Sequence, residues 1–493
     1  MKKEKNLKLN AVMNAVLTMS SFLFSLITYP YVARVLGPAG TGRVLFVHSL
    51  TTYFNMFAQL GIPVYGVRAC AAVRDNKEEL SKTAQELLLL NLIMSLFSFL
   101  FLGAGILTIP RLRDEKTLII LMSSCLVLSM IGMEWLFMAV EDYTFMAVRS
   151  VAVKLLALVL MFLMVRSESH VLRYGLILTL ALYGHFFLNF LSIRRYIRLK
   201  PVKGLSIRRH LRPVMTFFLM SFAVTIYTNL DTLMLGFMKG DTETGYYGTA
   251  AKIKTALSAM VTSLGAVLLP RASYYVEQKR FEEFRTMSRR ALGVVFLIAP
   301  AAALYFFLYA RQSVILIAGE EFLPGTASLQ TLMPTLLLIG LTNILGMQIL
   351  VPLKREKAVF LSEVIGAGTD LVLNLLLIPR FGAAGAAIGT LAAELAVLVV
   401  QAWALRTELK SLFSGIPYLR ILLALLLSGA LAWGFRYFSW RNILILVVSA
   451  AVFFASDFLL LYLLRVPALR EIISGLSARL FHKNPPEEEN KDS

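Results

Sequence analysis

A chain of 493 residues that is 58% apolar and only 16% charged departs from soluble domains, where those shares run near roughly one half and one quarter, and it belongs in a membrane. The net charge of +19 raises nucleic acid as a partner, but Lys and Arg collect in alternate connections between apolar runs, with the densest block from Arg194 to Arg212. That is the positive-inside pattern, for which anionic inner-leaflet lipid is a sufficient partner, and it excludes a nucleic-acid reading.

Apolar runs recur from end to end and predict an all-α, polytopic membrane protein of about fourteen transmembrane helices, with both termini cytoplasmic and no soluble domain. MKKEKNLK precedes an apolar stretch too long for a signal core and without a small-residue cleavage site, so the stretch reads as a retained first helix. Span 1, Leu9 to Val35, carries Asn14, Thr18, Ser21, Ser25 and Thr28 along one face, and Pro30 predicts a kink near Arg34. Two readings fit that stripe, helix packing through small hydroxyl residues and the lining of a wet cavity. Span 2, Val44 to Val64, repeats the device with His48, Thr52, Asn55 and Gln59, and a polar stripe on adjoining helices favours the cavity. Arg68 and Arg74 follow at the inner mouth, where topology signals also belong.

Spans 3 to 6 are predicted at 84–109, 117–140, 143–165 and 172–196. Cys70 and Cys125 lie near or inside helices and offer neither a disulfide framework nor a metal pair. Glu134, Glu141 and Asp142 stand near the inner end of span 4, and Arg149 and Lys154 enter span 5 from the same side, so mutual pairing is expected.

Span 7, Pro213 to Met238, holds Asp231, an acid at bilayer depth that must face protein, water or a cation. Span 8, Tyr246 to Leu269, opens with Lys252 and Lys254; Lys252, Ala256, Ala259 and Ser263 share a face, while snorkelling to the interface is the plainer reading for both lysines. This region echoes the start of the chain. Ser221-Phe222, Thr225, Thr228 and Leu235-Gly236 repeat Ser21-Phe22, Ser25, Thr28 and Leu36-Gly37, and Thr244-Gly245 repeats Thr41-Gly42, which aligns Lys252 with His48. Two related halves with binding groups between them are a common plan of secondary transporters. The implied division is an N-terminal bundle (1–196), a basic linker (197–212), a pseudo-symmetric second bundle (213–406), two added helices (407–464) and a cytoplasmic tail (465–493) ending in PPEEENKDS.

Spans 9 and 10 are predicted at 291–310 and 328–350. In span 11, Val359 to Ile378, Glu363, Asp370 and Asn374 fall on one face of an otherwise apolar helix, which suits a proton or a cation. Span 12, Ala383 to Leu405, carries Thr390, Glu394 and Gln401 on a face; spans 13 and 14, at 417–436 and 441–464, are aliphatic apart from Asp457.

Several of these residues together resemble a known family. Trp135-Leu136-Phe137, Glu141, Arg149, Lys154 and Val165-Arg166-Ser167, LGPAGTG after span 1, Asp231 with Leu235-Gly236, Gly245, Tyr247, Ala250 and Lys252, and PRFGAAGAAIGT from Pro379 look like the bacterial polysaccharide transporters, flippases of O-antigen and capsular repeat units related to multidrug and toxin exporters. Ala139 or Val140 departs from the family's glycine. The resemblance implies a plasma-membrane flippase for isoprenoid-diphosphate-linked oligosaccharide working by alternating access beside membrane lipids, glycosyltransferases and a polymerase, with no cofactor.

Its needs match the residues present. Lys252, Lys254, Arg34 and Arg68 would neutralise a diphosphate, and Ser25, Thr28, His48, Asn55 and Gln59 would meet sugars. Asp231, Glu363, Asp370 and Asn374 would couple H⁺ or Na⁺. A drug or organic-cation antiporter on the same architecture is the alternative, and a membrane glycan polymerase or ligase, which calls for a sizeable outer loop, fits less well. No phosphate-cradling Gly-rich lysine loop, activated nucleophile or metal-ligand cluster is found, so an enzyme is not expected.

Overall fold

The computed structural model describes residues 7–198, 200, 204–438, 441–471 and 473, so MKKEKN, part of the basic linker and the PPEEENKDS end lie outside the described residues. Among the described residues every regular element is a helix and there is no strand. In hydrocarbon each backbone N–H and C=O must be satisfied inside its own segment, and a helix does that.

Among the described residues eight helices are long and apolar enough to cross a bilayer, or up to twelve if each of four pairs bent by more than 40° is one span. The expected fourteen is not reached, and residues 9–71 and 356–404, each expected to hold two spans, each count as one stretch. Both are far longer than one crossing. The helix Leu7–Gln59 would run about 80 Å if straight, against a hydrocarbon core of about 30 Å, but its direction breaks at Gly37 (φ 66°, ψ −179°). The helix Glu356–Ala404 breaks in the same way at Gly382 (φ 54°, ψ −129°). There the Glu243 carboxylate accepts the Ala383 amide at 2.6 Å, satisfying a donor that the break leaves without a helical partner.

The chain divides into two compact units. The first comprises Met1–Ala250, Val314–Ser328 and Ala367–Gly389; the second comprises Ala251–Ser313, Leu329–Gly366 and Thr390–Ser493.

In the first unit Val32, Val44, Phe46 and Val47 pack with Leu118, Ile119 and Val165 in a continuous apolar core. The two echoing turns meet inside it. A Cβ at Gly42 would fall 1.8 Å from the Asp241 carbonyl oxygen, and one at Gly245 would fall 2.1 Å from that of Pro38, so backbone lies on backbone and only glycine fits. Charges at the helix ends are paired. Arg43 meets Glu115 at 2.9 Å, and Arg111 reaches Asp241. Glu86, fully buried, accepts the Ser206 amide at 2.7 Å, the His210 ring at 2.8 Å and the Arg209 guanidinium at 2.9 Å. His210 in turn bonds the Tyr65 hydroxyl at 2.9 Å. Part of the basic linker is therefore bound by a buried acid within the protein, in addition to whatever lipid it meets.

In the second unit the helix Phe281–Leu308 holds the last two long helices. Tyr305 donates to the Leu446 carbonyl at 2.7 Å and Tyr309 donates to that of Ala432. Arg289 reaches the Ser411 carbonyl at 2.9 Å.

Replacing Glu86 by Gln keeps the shape but removes the charge that Arg209 and His210 face. It should cost about 1–3 kcal/mol of stability, read as an earlier thermal unfolding of the detergent-purified protein, whereas Glu78→Gln, at an exposed pair with Arg198, should leave unfolding unchanged.

Candidate functional site

The most developed polar site inside the first unit is centred on Asp231. The helix Arg208–Met238 carries it, the helix starting at Asp241 brings Tyr247, and the stretch 367–389 brings Asp370 and Asn374. All four side chains are buried. Asp231 accepts the Asn374 amide on Oδ1 at 2.6 Å and the Tyr247 hydroxyl on Oδ2. Donors to both oxygens are what keep a carboxylate tolerable away from water.

Tyr53 lies within electrostatic reach of both Asp231 and Asp370, and its hydroxyl points to the Thr225 carbonyl at 3.4 Å. Gly389 completes the arrangement. A Cβ there would come 2.4 Å from Asn374 Oδ1 and 3.1 Å from Asp370 Oδ1, so the missing side chain is what lets two acceptor oxygens converge. Asn374 Oδ1 is buried and has no hydrogen-bond partner among the described residues. Carboxylate, amide and phenol oxygens without imidazole or thiolate suit a proton or a hard alkali cation, not a transition metal. Among the described residues there is accordingly no cluster of three His, Cys, Asp or Glu that could hold a metal.

Of the four residues assigned to ion coupling by sequence, Asp231, Asp370 and Asn374 fall together in the first unit, and Glu363 falls in the second. The carboxylate that acts on Glu363 is that of Glu394, and the neighbouring Ser362 accepts the Gln401 amide at 3.2 Å. Glu394 of span 12 thus acts on Glu363, and Gln401 bonds the residue beside it. A seven-residue step keeps Glu363 and Asp370 on one face but sets them about 10 Å apart along the axis, far enough to meet different neighbours.

The sugar- and phosphate-directed residues are distributed as follows. In the first unit Thr28 and Gln59 are buried, while Ser25, His48 and Asn55 are half-buried. Asn55 Oδ1 is buried without a partner among the described residues, and the His48 carbonyl accepts the Thr52 hydroxyl at 2.8 Å. Arg34 donates to the Leu316 carbonyl and Arg68 is exposed. Lys252 and Lys254 belong to the second unit, where Lys252 is exposed together with Ala259 and Ser263, and Lys254 is half-buried.

The expected pairing around span 5 is only partly realised. Arg149, buried, lies 3.8 Å from Glu134 and stacks over Phe137 at 4.8 Å and Phe145 at 5.0 Å. Glu141 turns to Arg74 and Asp142 accepts the Tyr196 hydroxyl. Lys154 lies within electrostatic reach of Glu134 but donates its hydrogen bonds to Ser20 at 3.0 Å and Ser21 at 2.6 Å, so two hydroxyls of the first helix serve the protein itself. Sequence reasoning also missed Tyr53, Gly389 and His185, whose ring lies 3.5 Å from Glu134. A phenol or a glycine in an apolar helix gives no periodic signal of its own.

Helices long and apolar enough to cross a bilayer mark a multi-pass membrane protein, and the comparisons give its class. Residues 7–276 match the family described as "Polysaccharide biosynthesis protein". The chain belongs to that family. A protein of Escherichia coli (strain K12) named "Putative O-antigen transporter" is 26% identical over 392 residues, which are 79% of this chain and 94% of that protein. A protein of the same name from Shigella dysenteriae is 21% identical over 77% of this chain and 95% of its own length. Among solved structures, the lipid II flippase MurJ in an inward closed conformation has a TM-score of 0.66 at 15% identity, covering 96% of this chain and 100% of that one. An inward-facing multidrug resistance transporter of the MATE family has 0.62 at 16% identity, covering 82% and 99%. At such identities the structural likeness speaks for the fold. These relatives are transporters, not enzymes.

Gly389→Ala should force the Asn374 side chain aside and lower stability by about 1–3 kcal/mol, measured by thermal unfolding. Gly368→Ala, in the same helix and with nothing within 4 Å of the added carbon, should be neutral or stabilising.

Proposed function

We propose that the chain moves isoprenoid-diphosphate-linked oligosaccharide from the inner to the outer leaflet of a bacterial plasma membrane by alternating access. The single observation that carries this reading is family membership together with a relative named for O-antigen transport whose length is matched almost end to end. In this reading residues 9–71 and 356–404 each cross twice, turning at Gly37 and Gly382, which gives about fourteen spans and two cytoplasmic termini. Two bundles, 1–196 and 213–406, rock about the linker 197–212, with 407–464 as an appended pair and 465–493 as a cytoplasmic tail.

The lipid diphosphate needs cations to leave water. Lys252, exposed above small residues, is the first candidate, with Lys254 and Arg68 beside it in role; Arg34 serves through whatever its bond to Leu316 leaves free. Sugars are met by Ser25, Thr28, His48, Asn55 and Gln59. Asp231, Asp370 and Asn374 form a site for H⁺ or Na⁺, supported by the converging oxygens at Gly389, and Glu363 with Glu394 is a second place where a proton or cation would balance charge. One unit charge moved through 100 mV is worth about 2.3 kcal/mol, so a single coupled ion would bias export about fifty-fold. Glycosyltransferases and a polymerase of the same pathway would supply and consume the cargo.

The MATE neighbour favours a second reading, a drug or organic-cation antiporter. Leaflet transfer of a labelled lipid-linked oligosaccharide in proteoliposomes separates the two. Wild type should transfer it, Lys252→Ala should slow transfer by at least about tenfold, as loss of one charge-assisted contact implies, and Asp231→Asn should abolish its dependence on a Na⁺ or proton gradient. Transfer unchanged in both variants would remove these residues from the mechanism, and cation export without lipid transfer would favour the antiporter.

A further inference from the structure

Two candidate spans of the first unit lose their regular course near each other. The span Lys116–Ala139 is interrupted at Met133, whose backbone is left-handed (φ 42°, ψ 46°), and Glu168–Tyr183 meets His185–Arg195 at 43°. Irregular backbone at membrane depth is tolerated only where protein or water meets it. The helix Tyr143–Met164 packs against both, and its register against the second is fixed at two points. Asp142 accepts the Tyr196 hydroxyl, and a Cβ at Gly184 would lie 3.2 Å from Val153 Cγ1. Arg149 stands seven residues after Asp142 and Asn189 seven before Tyr196, about two helical turns in each case, so these two residues are level on facing sides.

The polar groups at this level are buried and unmet. All three guanidinium nitrogens of Arg149, both amide atoms of Asn189 and Nδ1 of His185 have no hydrogen-bond partner among the described residues, although the three residues are only 4%, 0% and 6% exposed. Glu134 Oε1 lies 3.8 Å from Arg149 and 3.5 Å from His185 Nε2, near enough to balance charge and too far for a good hydrogen bond. A buried group left dry forfeits its whole desolvation cost, so something must meet these atoms. The second unit repeats the theme in its own terms. Span 10, the fourth of its half as span 4 is of the first, widens into a π-helix over Ile344–Leu350, and the Asn343 Oδ1, Gln348 Nε2 and Gln401 Oε1 around it are likewise buried without a partner among the described residues.

We propose that the break of span 4 is a binding site for ordered water, which is the missing partner of Arg149, Asn189 and His185. The chemistry of the unmet atoms selects it. An anion would meet the Glu134 carboxylate and a cation the Arg149 guanidinium, and with Asp142 and Lys154, the other charges in electrostatic reach of these two, acids and bases are equal in number. The unmet atoms include donors, on Arg149 and at Asn189 Nδ2, and an acceptor, Asn189 Oδ1. A small neutral molecule that donates and accepts alike satisfies both kinds. Glu134, half-buried where the other three are buried, is the side from which it enters.

Thermal unfolding of the full-length protein in nanodiscs tests the assignment by its sign. Asn189→Leu keeps the size of the side chain and removes its polar atoms. In a wet pocket it loses contacts with water and should lower the unfolding midpoint by about 2–4 °C. In a dry pocket it removes two unmet atoms, so an unchanged or higher midpoint would overturn the proposal. Hydroxyl-radical labelling of the wild type stands as a test by itself should the variant not fold. Radicals formed at bound water should label His185 and Phe137, the ring beneath Arg149, while Phe453, buried in the second unit, stays unlabelled. Failure of both His185 and Phe137 to label would refute the site. So would a wild-type midpoint that falls when chloride is exchanged for gluconate while that of Asn189→Leu does not, because the occupant would then be an anion.

Discussion

The structure depends on one constraint, that an acid buried among apolar helices must be met by donors. At Asp231 the constraint is met by geometry, with an amide on one oxygen and a phenol on the other, drawn from two helices that are distant in sequence. The Asn374 amide ties the helix Arg208–Met238 to the stretch 367–389 and the Tyr247 hydroxyl ties it to the next helix, so the contacts that make the acid tolerable also join parts of the first unit. Glu86 meets the same demand with three donors from the central connection, whereas the buried Arg149 guanidinium has no hydrogen-bond partner among the described residues and is left with two aromatic faces and Glu134 at 3.8 Å.

Composition and hydropathy made the helical membrane class legible, because bilayer thickness imposes a length that any reader of the sequence can measure. The acid in span 7 was legible for a similar reason, since its cost in lipid is too large to ignore. What surrounds the acid was not. Asn374 could be placed on a face and Tyr247 in the family pattern, but a face has neighbours only in three dimensions, and nothing in the sequence tells Tyr53 from a tyrosine that merely fills space. Gly389 stood inside PRFGAAGAAIGT, yet its role was not legible there, because that role is a missing side chain. Helical phase grouped Glu363 with Asp370 and ignored the rise between them, and that rise gives each a different set of contacts.

The echo between the two halves has a physical counterpart. Turns alike in sequence pack against each other through bare backbone at Gly42 and Gly245, a closeness that no other residue type permits. Similar sequences thus bring two helix starts into direct backbone contact. That contact needs no charged or aromatic residue, which is why the signal is faint despite its geometric strictness.

Tyr305 and Tyr309 hold the last two long helices by their carbonyl oxygens, and Arg289 likewise holds the segment before them through the Ser411 carbonyl. A carbonyl is present whatever residue carries it. At these three points the attachment does not depend on which residue supplies the oxygen, whereas Ser449, whose hydroxyl meets that of Tyr305 at 3.0 Å, and Phe453, packed against the same ring, bind the last helix through their own side chains.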